Sequence, residues 1–336
     1  MKYRVFKSII LFSMIVLICN GCNRVEDEQQ KEPEKVVDKK VNVIDTSSGL
    51  RPVAVMINNH KAARPHSGLD DAFIVYEIMV EGGITRMMAL YEQSADEMKI
   101  GSVRSARHNY LDYVMENDAI FVHWGDSVYA NDDMKKYNID HIDGMVYGNI
   151  YFTTDSSLNR SVEHTRFTSS SMIKDAIDKL GIKKTTNLKP LLNYTTDEVD
   201  LSQIEGSKAA NSVAIKYSGY ETSEFEYNDT EKLYYHSMSG DKHIDLLTNN
   251  QYSFKNIIAY SVKYNTISDY GHQDMENVGS GEGVYITNGY SVPIKWEKKS
   301  RKDKTLYTYL DGKEIDVSDG KTFIQIYPTT GNMVIE

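Results

Sequence analysis

The stretch Gly101-Ser102-Val103-Arg104-Ser105-Ala106-Arg107-His108 carries the densest set of groups able to hold an anion. Read as a strand running into a helix, it places Arg104 at the strand's carboxyl end and Arg107 and His108 in the first helical turn. α/β sheets collect ligands there, and free backbone N–H groups favour negative charge there. Two arginines beside the positive end of a helix dipole are unfavourable unless an anion or carboxylate answers them. Guanidinium also suits planar, two-pronged recognition of phosphate or carboxylate. Arg64, Arg86 and Ser105 complete this candidate anion site. The same charges admit a purely structural reading. Glu77 lies midway along the apolar run Phe73–Val80, where a buried carboxylate needs a partner, and Glu81 follows two pleats later. Glu77 is therefore a candidate for a structural ion pair with Arg86 or Arg104.

His123 and Asp126, in His-Trp-Gly-Asp, are candidate catalytic residues together with Glu81. A His–Asp pair beside an arginine pocket can combine a general base with an anion clamp, although such a histidine also serves as a hydrogen-bonded structural residue. Glu77 and Glu81 make a poor glycosidase pair, because four residues along one strand separate them by about 13 Å. An inverting pair needs about 6.5–9.5 Å. His164 and Arg166 fall in a polar loop. The nine histidines show neither an H-x₃-H pair nor HExxH, so no metal site is read, and no cofactor is expected. GxSxG, SxxK and P-loop patterns are absent. Gly279-Ser-Gly-Glu-Gly283 reads as a hairpin, and the 24 tyrosines suit half-buried sheets as well as they suit glycan stacking.

The elements that would position these residues alternate up to about residue 187. Pro52–Asn58, Phe73–Val80 and Ile84–Tyr91 read as strands. Lys99–Val103, Ser105–Asn117 and Ala119–Gly125 read as strand, helix and strand, a βαβ unit with a parallel pair. Ser127–Tyr137 and Ser169–Leu180 read as helices, the latter capped by serines and stopped by Gly181. After Leu192 helical periods vanish. Eight short strands follow, punctuated by Asn288-Gly289, Asp311-Gly312 and Asp319-Gly320. The fold class expected is α+β: a mixed α/β N-terminal domain over 50–192, then an antiparallel β-rich domain over 193–336.

The first residues address the chain. Lys2, Arg4 and Lys7 precede an apolar run of 11 residues, Ser8–Ile18, which is the length of a signal h-region and short of a bilayer span. Gly21 before Cys22 at its end resembles the lipobox of bacterial lipoproteins, with residues 1–21 the signal peptide and Cys22 the acylated residue. Cys19 would leave with the signal, so the folded part carries no thiol, which excludes disulfides, Cys-ligated zinc and thiol nucleophiles. Residues 22–49 are charged, lack aromatics and read as a disordered tether. With 48 acidic against 38 basic side chains, the 336-residue chain has a net charge of −10 and is a poor nucleic-acid binder.

Asn58-Asn59-His60 with Ala63-Arg64-Pro65, then Val80 to Arg86, then Ile100 to Arg107, resemble in order the YerB-like lipoprotein family of Gram-positive bacteria. The stretch Gly279 to Trp296 resembles that family's C-terminal domain. The resemblance implies two domains and a lipid anchor but supplies no mechanism. The sequence thus points to a lipoprotein on the outer face of the cytoplasmic membrane, binding an anionic cell-envelope ligand or a partner protein. Two alternatives stay open: an envelope enzyme acting on a phosphorylated or acidic wall component, and a pure protein-interaction module.

Overall fold

The computed structural model describes residues 40–336; the expected signal peptide, Cys22 and the first part of the expected tether lie outside the described residues. Folded structure begins before Leu50. The backbone N–H groups of Asn42 and Val43 donate to the Asp319 carboxylate, and Ile44 is buried in the core. A short apolar side chain and an Asx-type anchor thus dock the last residues of a segment whose composition alone reads as tether.

The architecture is mixed α/β followed by antiparallel β, as expected. β1 (Val53–Asn58), β2 (Ile74–Met79) and β3 (Thr85–Tyr91) are almost wholly buried on both faces, which is why they read as continuous apolar runs rather than alternating ones. β3 pairs antiparallel with both β1 and β2, so β1 and β2 run the same way. β5 (Ile120–His123) lies parallel to β1, and β6 (His141–Asp143) parallel to β5.

Strands from the second half of the chain continue the same sheet. Thr322–Pro328 inserts between β2 and Asn256–Val262, parallel to both, and Gly279–Thr287 and Tyr290–Lys298 extend the sheet antiparallel beyond. The result has eleven strands, with apolar clusters on both faces. A separate six-stranded antiparallel sheet, centred on Ser212–Lys216, Thr222–Asn228 and Leu233–Met238, packs its buried residues into one of those clusters. Its strands show the in–out alternation of a half-solvated sheet. The hairpin turn at Asn288-Gly289 forms as expected, with φ of 51° and 79° at the two central positions.

Helices α1 (His108–Glu116), α2 (Val128–Tyr137) and α4 (Ser170–Leu180) lie where their periodicity put them. Ser127 and Ser169 cap the starts of α2 and α4, and Asn138 and Gly181 end them in the left-handed conformation. The expected crossover is displaced by one unit. β4 (Lys99–Gly101) does not pair with β5; it pairs antiparallel with β8 (Arg166–Ser169), in a small sheet with β7 (Thr153–Thr154). The βαβ unit is β5–α2–β6. Its last strand and the following α3 (Gly144–Tyr151), kinked at Gly148, were too short and too weakly periodic to read.

One buried ion pair ties α1 to the far half of the sheet. Lys298 Nζ lies 2.7 Å from Glu116 Oε2, and the two side chains are 1% and 0% exposed. Glu116 also accepts from the Thr305 backbone N–H (3.0 Å), the Thr305 hydroxyl (2.7 Å) and the Tyr76 hydroxyl (2.9 Å). Lys298→Met would strand that carboxylate and should cost about 3–5 kcal/mol in urea denaturation. The double substitution Glu116→Gln/Lys298→Met should lose clearly less, because no uncompensated charge is left.

Candidate functional site

The parallel strands share one carboxyl end, and a pocket opens there. The segment 103–106 is pinned across the ends of β1 and β5 by backbone hydrogen bonds. Arg104 N donates to Met56 O (2.9 Å), Trp124 N to Arg104 O (3.1 Å), and Ala106 N to Gly125 O (2.9 Å). Arg86, buried under this segment, donates to the Ser105 carbonyl and fixes it from below. The pocket has a volume of about 580 Å³, and its lining includes Arg104, Ser105, Asp126, Asp143, Glu163 and Arg166. Trp124 forms part of the wall. Its ring passes so close to Gly144 that a Cβ there would lie 2.2 Å from a ring carbon. The Arg166 guanidinium stacks on the other part of that wall, 4.4 Å from the Trp124 ring.

The expected cluster of cations is resolved into individual pairings. Arg107 is the residue immediately before α1, and it is already answered: its Nε donates to the Glu81 carboxylate, and the two side chains are largely buried. Burial would raise the Glu81 carboxyl, but the Arg107 hydrogen bond and the charges of Arg107 and Arg86 outweigh it and hold it low. Arg64 pairs with Glu221 at 2.7 Å. His108 turns toward Asp274 (3.3 Å). Burial, then repulsion from Arg107, pushes the Arg86 guanidinium down to about 9. Arg104 differs from all of these. Among the described residues its half-buried guanidinium has no hydrogen-bond or ion-pair partner, and it lines the open pocket. Of the six residues proposed for anion binding, only Arg104 and Ser105 reach this space; Trp124 joins them from the His-Trp-Gly-Asp stretch, and Asp143 and Glu163 arrive from elements that no local spacing connects to it.

His123 and Asp126 do converge beside Arg104, but His123 is enclosed. Its Nδ1 donates to Gly125 O (2.8 Å) and its Nε2 faces His141 Nδ1 (2.9 Å). The ring is fully buried, and burial pushes its proton affinity down. Neither nitrogen is presented to the pocket as a base. His123, Asp126 and Asp143 nevertheless bring one ligand atom each to within 4.8 Å of one another, a set that could hold a cation. Motif spacing could not show it, because Asp143 arrives from the next strand.

Glu77 is buried as expected but finds no arginine. Its carboxylate accepts from Thr85 Oγ1 (2.6 Å), Asn59 Nδ2 (3.2 Å) and Gln325 Nε2 (3.0 Å). From Gln325 a buried chain continues through Ser223 (3.1 Å), His236 (2.8 Å) and His243 (2.8 Å) to His66 (2.7 Å), whose Nε2 meets the Asn58 carbonyl. One set of neutral tautomers satisfies the chain: His66 and His243 protonated at Nε2, His236 at Nδ1, and the Ser223 hydroxyl donating to His236. Burial pushes His66 down to about 3 and the other two rings well below their ordinary value.

Two family models match the chain: "Protein of unknown function (DUF3048) N-terminal domain" over residues 41–183, and the corresponding C-terminal domain over residues 213–324. A relative from Bacillus subtilis (strain 168), named "Putative lipoprotein YerB", is 32% identical over 285 residues, covering 83% of this chain and 81% of the relative. The crystal structure of the YerB protein from Bacillus subtilis aligns with a TM-score of 0.74 at 27% identity, covering 87% of this chain and 96% of that one.

Burial raises the Glu77 carboxyl from 4.5 to about 7, against the lowering effect of its Thr85 and Gln325 hydrogen bonds. Between those pH values the folded chain holds a proton that the unfolded chain releases. The contribution of Glu77 is therefore fully present below pH 4.5 and is lost as pH rises through 7. The three buried histidines act oppositely, since the unfolded chain gains protons below pH 6.5 that the folded chain refuses. Denaturation of the wild type and Glu77→Gln at pH 4.5 and pH 8 isolates the carboxyl. The wild type should lose about 3 kcal/mol relative to the variant across that interval.

Proposed function

We propose that this chain, which belongs to the DUF3048 family as its motifs implied, is a lipid-anchored extracytoplasmic binding protein that holds an anionic envelope ligand at Arg104. One observation carries the reading: a half-buried guanidinium with no partner among the described residues faces a pocket of about 580 Å³ at the carboxyl ends of parallel strands. The Arg104 guanidinium N–H groups are held partly out of water with no hydrogen-bond partner among the described residues, so they are free to bond an oxyanion. Binding is favoured over catalysis because the imidazole expected to act as base, His123, has both ring nitrogens occupied.

Anchoring rests on the h-region ending in Gly21-Cys22 and on the lipoprotein name of the Bacillus relative. Two or more acyl chains would hold the protein stably at the outer face of the cytoplasmic membrane, where a single chain binds only marginally. Residues 42–51 enter the fold at the amino ends of β1 and Thr322–Pro328, at the opposite end of the sheet from the pocket. The ligand therefore comes from the side away from the tether's point of entry, which suits a wall component better than the anchoring bilayer. A partner protein bearing the anionic group is the second reading. It is favoured by Met145 and Val162, which line the pocket yet are 68% and 56% exposed.

Arg104→Met should change the stability of the free protein little in phosphate-free buffer, because no hydrogen bond or ion pair among the described residues is lost. Phosphate or pyrophosphate should raise the wild-type melting temperature by mass action, the stabilisation reaching about 2.7 kcal/mol at a hundredfold excess over Kd. That rise should vanish in Arg104→Met. Arg107→Met should instead lose about 2–3 kcal/mol by stranding Glu81, while keeping the anion-dependent rise. A rise that survives in Arg104→Met would remove the basis of the assignment.

For the anchor, a clickable fatty acid fed to expressing cells should label the wild type and Cys19→Ser but not Cys22→Ser. Label retained on Cys22→Ser would defeat the lipobox reading.

A further inference from the structure

The pocket that holds Arg104 carries more acid than an anion site should. Asp126, Asp143 and Glu163 face Arg104 and Arg166, which leaves one uncompensated negative charge in the space where an anion is to bind. We propose that His123, Asp126 and Asp143 form a divalent-cation site at the floor of this pocket, with Asp126 and Asp143 in its lining and the buried His123 behind them, and that the bound cation shares the anionic ligand with Arg104. The cation site stands on its own ligands; only its role toward the anion rests on the function proposed above.

The donor geometry is close to that of a coordination shell. His123 Nδ1 lies 2.8 Å from the Gly125 carbonyl oxygen and 3.8 Å from Asp143 Oδ1, and the ligand atoms of the three side chains all lie within 4.8 Å of one another. Ligands bound at about 2.0–2.2 Å sit about 3 Å apart when adjacent and about 4 Å apart when opposed. A small contraction brings this set into range. In the absence of a cation, a proton on Nδ1 bridges His123 to the Gly125 carbonyl. The cation takes the place of that proton: Nδ1 becomes a ligand, the neutral ring's one proton moves to Nε2 and is donated to His141 Nδ1, 2.9 Å away, and His141 then carries its own proton on Nε2. No net proton leaves the neutral ring, and acid weakens binding by protonating the imidazole and the carboxylates that the cation needs.

The supporting shell is already in place. Asp143 Oδ1 accepts the Gly125 N–H (2.7 Å) and the Met145 N–H (2.9 Å), and Asn131 donates to Asp126 Oδ2 (3.2 Å). His123 and Asp143 are the last residues of adjacent parallel strands, which fixes their separation by the sheet itself. An imidazole nitrogen with two carboxylates and a carbonyl suits a borderline cation such as Mn²⁺ or Zn²⁺ better than an all-oxygen Ca²⁺ shell. Two carboxylates neutralise a divalent ion, and its arrival makes the pocket net positive. The ligand class is then a phosphoryl or carboxylate group bridging the cation and Arg104.

The test uses the full lipidated chain in detergent, stripped with chelator and titrated with Mn²⁺, bound ion being read by loss of the free Mn²⁺ electron-spin signal. One equivalent should bind, with weaker binding as pH falls. Asp126→Asn, at a half-exposed position, should keep the wild-type melting temperature and weaken binding 10- to 100-fold. His123→Gln should weaken it similarly if it folds. No saturable one-to-one binding below millimolar Mn²⁺, or equal affinity in wild type and Asp126→Asn, overturns the site. Methylphosphonate separates the two roles. Its stabilisation of the wild type should grow at least tenfold in apparent affinity with Mn²⁺ present. Affinity unchanged by Mn²⁺ overturns the shared-ligand role, while loss of the phosphonate effect in the metal-free wild type as well as with metal counts against the Arg104 pocket itself.

Discussion

The hydrogen bond between Glu77 and Gln325 joins residues 248 apart in sequence at the centre of the sheet. They are register partners on β2 and Thr322–Pro328, and that parallel pairing makes one sheet of two dissimilar stretches of chain. The pairing buries polar groups that neither stretch could satisfy alone. Asn59 and Thr85 come from one side, Ser223, His236 and His243 from the other, and Glu77 and Gln325 connect them. A buried carboxylate without a cationic partner among the described residues tolerates only a nearly complete set of donors. The register between the two halves is thereby specified more tightly than apolar packing alone would require.

The same parallel alignment sets the site. β1, β5 and β6 point their carboxyl ends the same way, so Met56, His123 and Asp143 lie at a common level, with Arg104 bridging above them. The arginines then divide by what each can reach. Arg107 meets Glu81, Arg64 meets Glu221, and Arg86 supports the Ser105 carbonyl. Arg104 is carried past these partners by backbone bonds on both sides of it. Its freedom follows from the pinned main chain rather than from any shortage of acid nearby. Glu163 lines the same pocket without closing on it, and Arg166 is held back by stacking on Trp124 and by its bond to Thr154.

Local physics was legible from the chain. Apolar runs without alternation marked strands covered on both faces, serine and glycine marked the ends of α4, and Asn288-Gly289 marked a hairpin. The burial of Glu77 was legible from its place in an apolar run. β6 and α3 escaped because three residues and a kinked eight carry too little periodicity to register. β4 was legible as a strand but not its partner, since pairing is a long-range choice and Phe167 of β8 lies far along the chain.

The sequence by itself determined the family, the alternation of elements and a thiol-free folded part, because those depend on residue type and on neighbours within a few turns. Tertiary structure alone decided which arginine stays unpaired, which acids share its pocket and which groups complete the histidine chain. Charge pairing is set by distances between strands, and a guanidinium whose carboxylate lies one strand away is chemically unlike one whose carboxylate is out of reach.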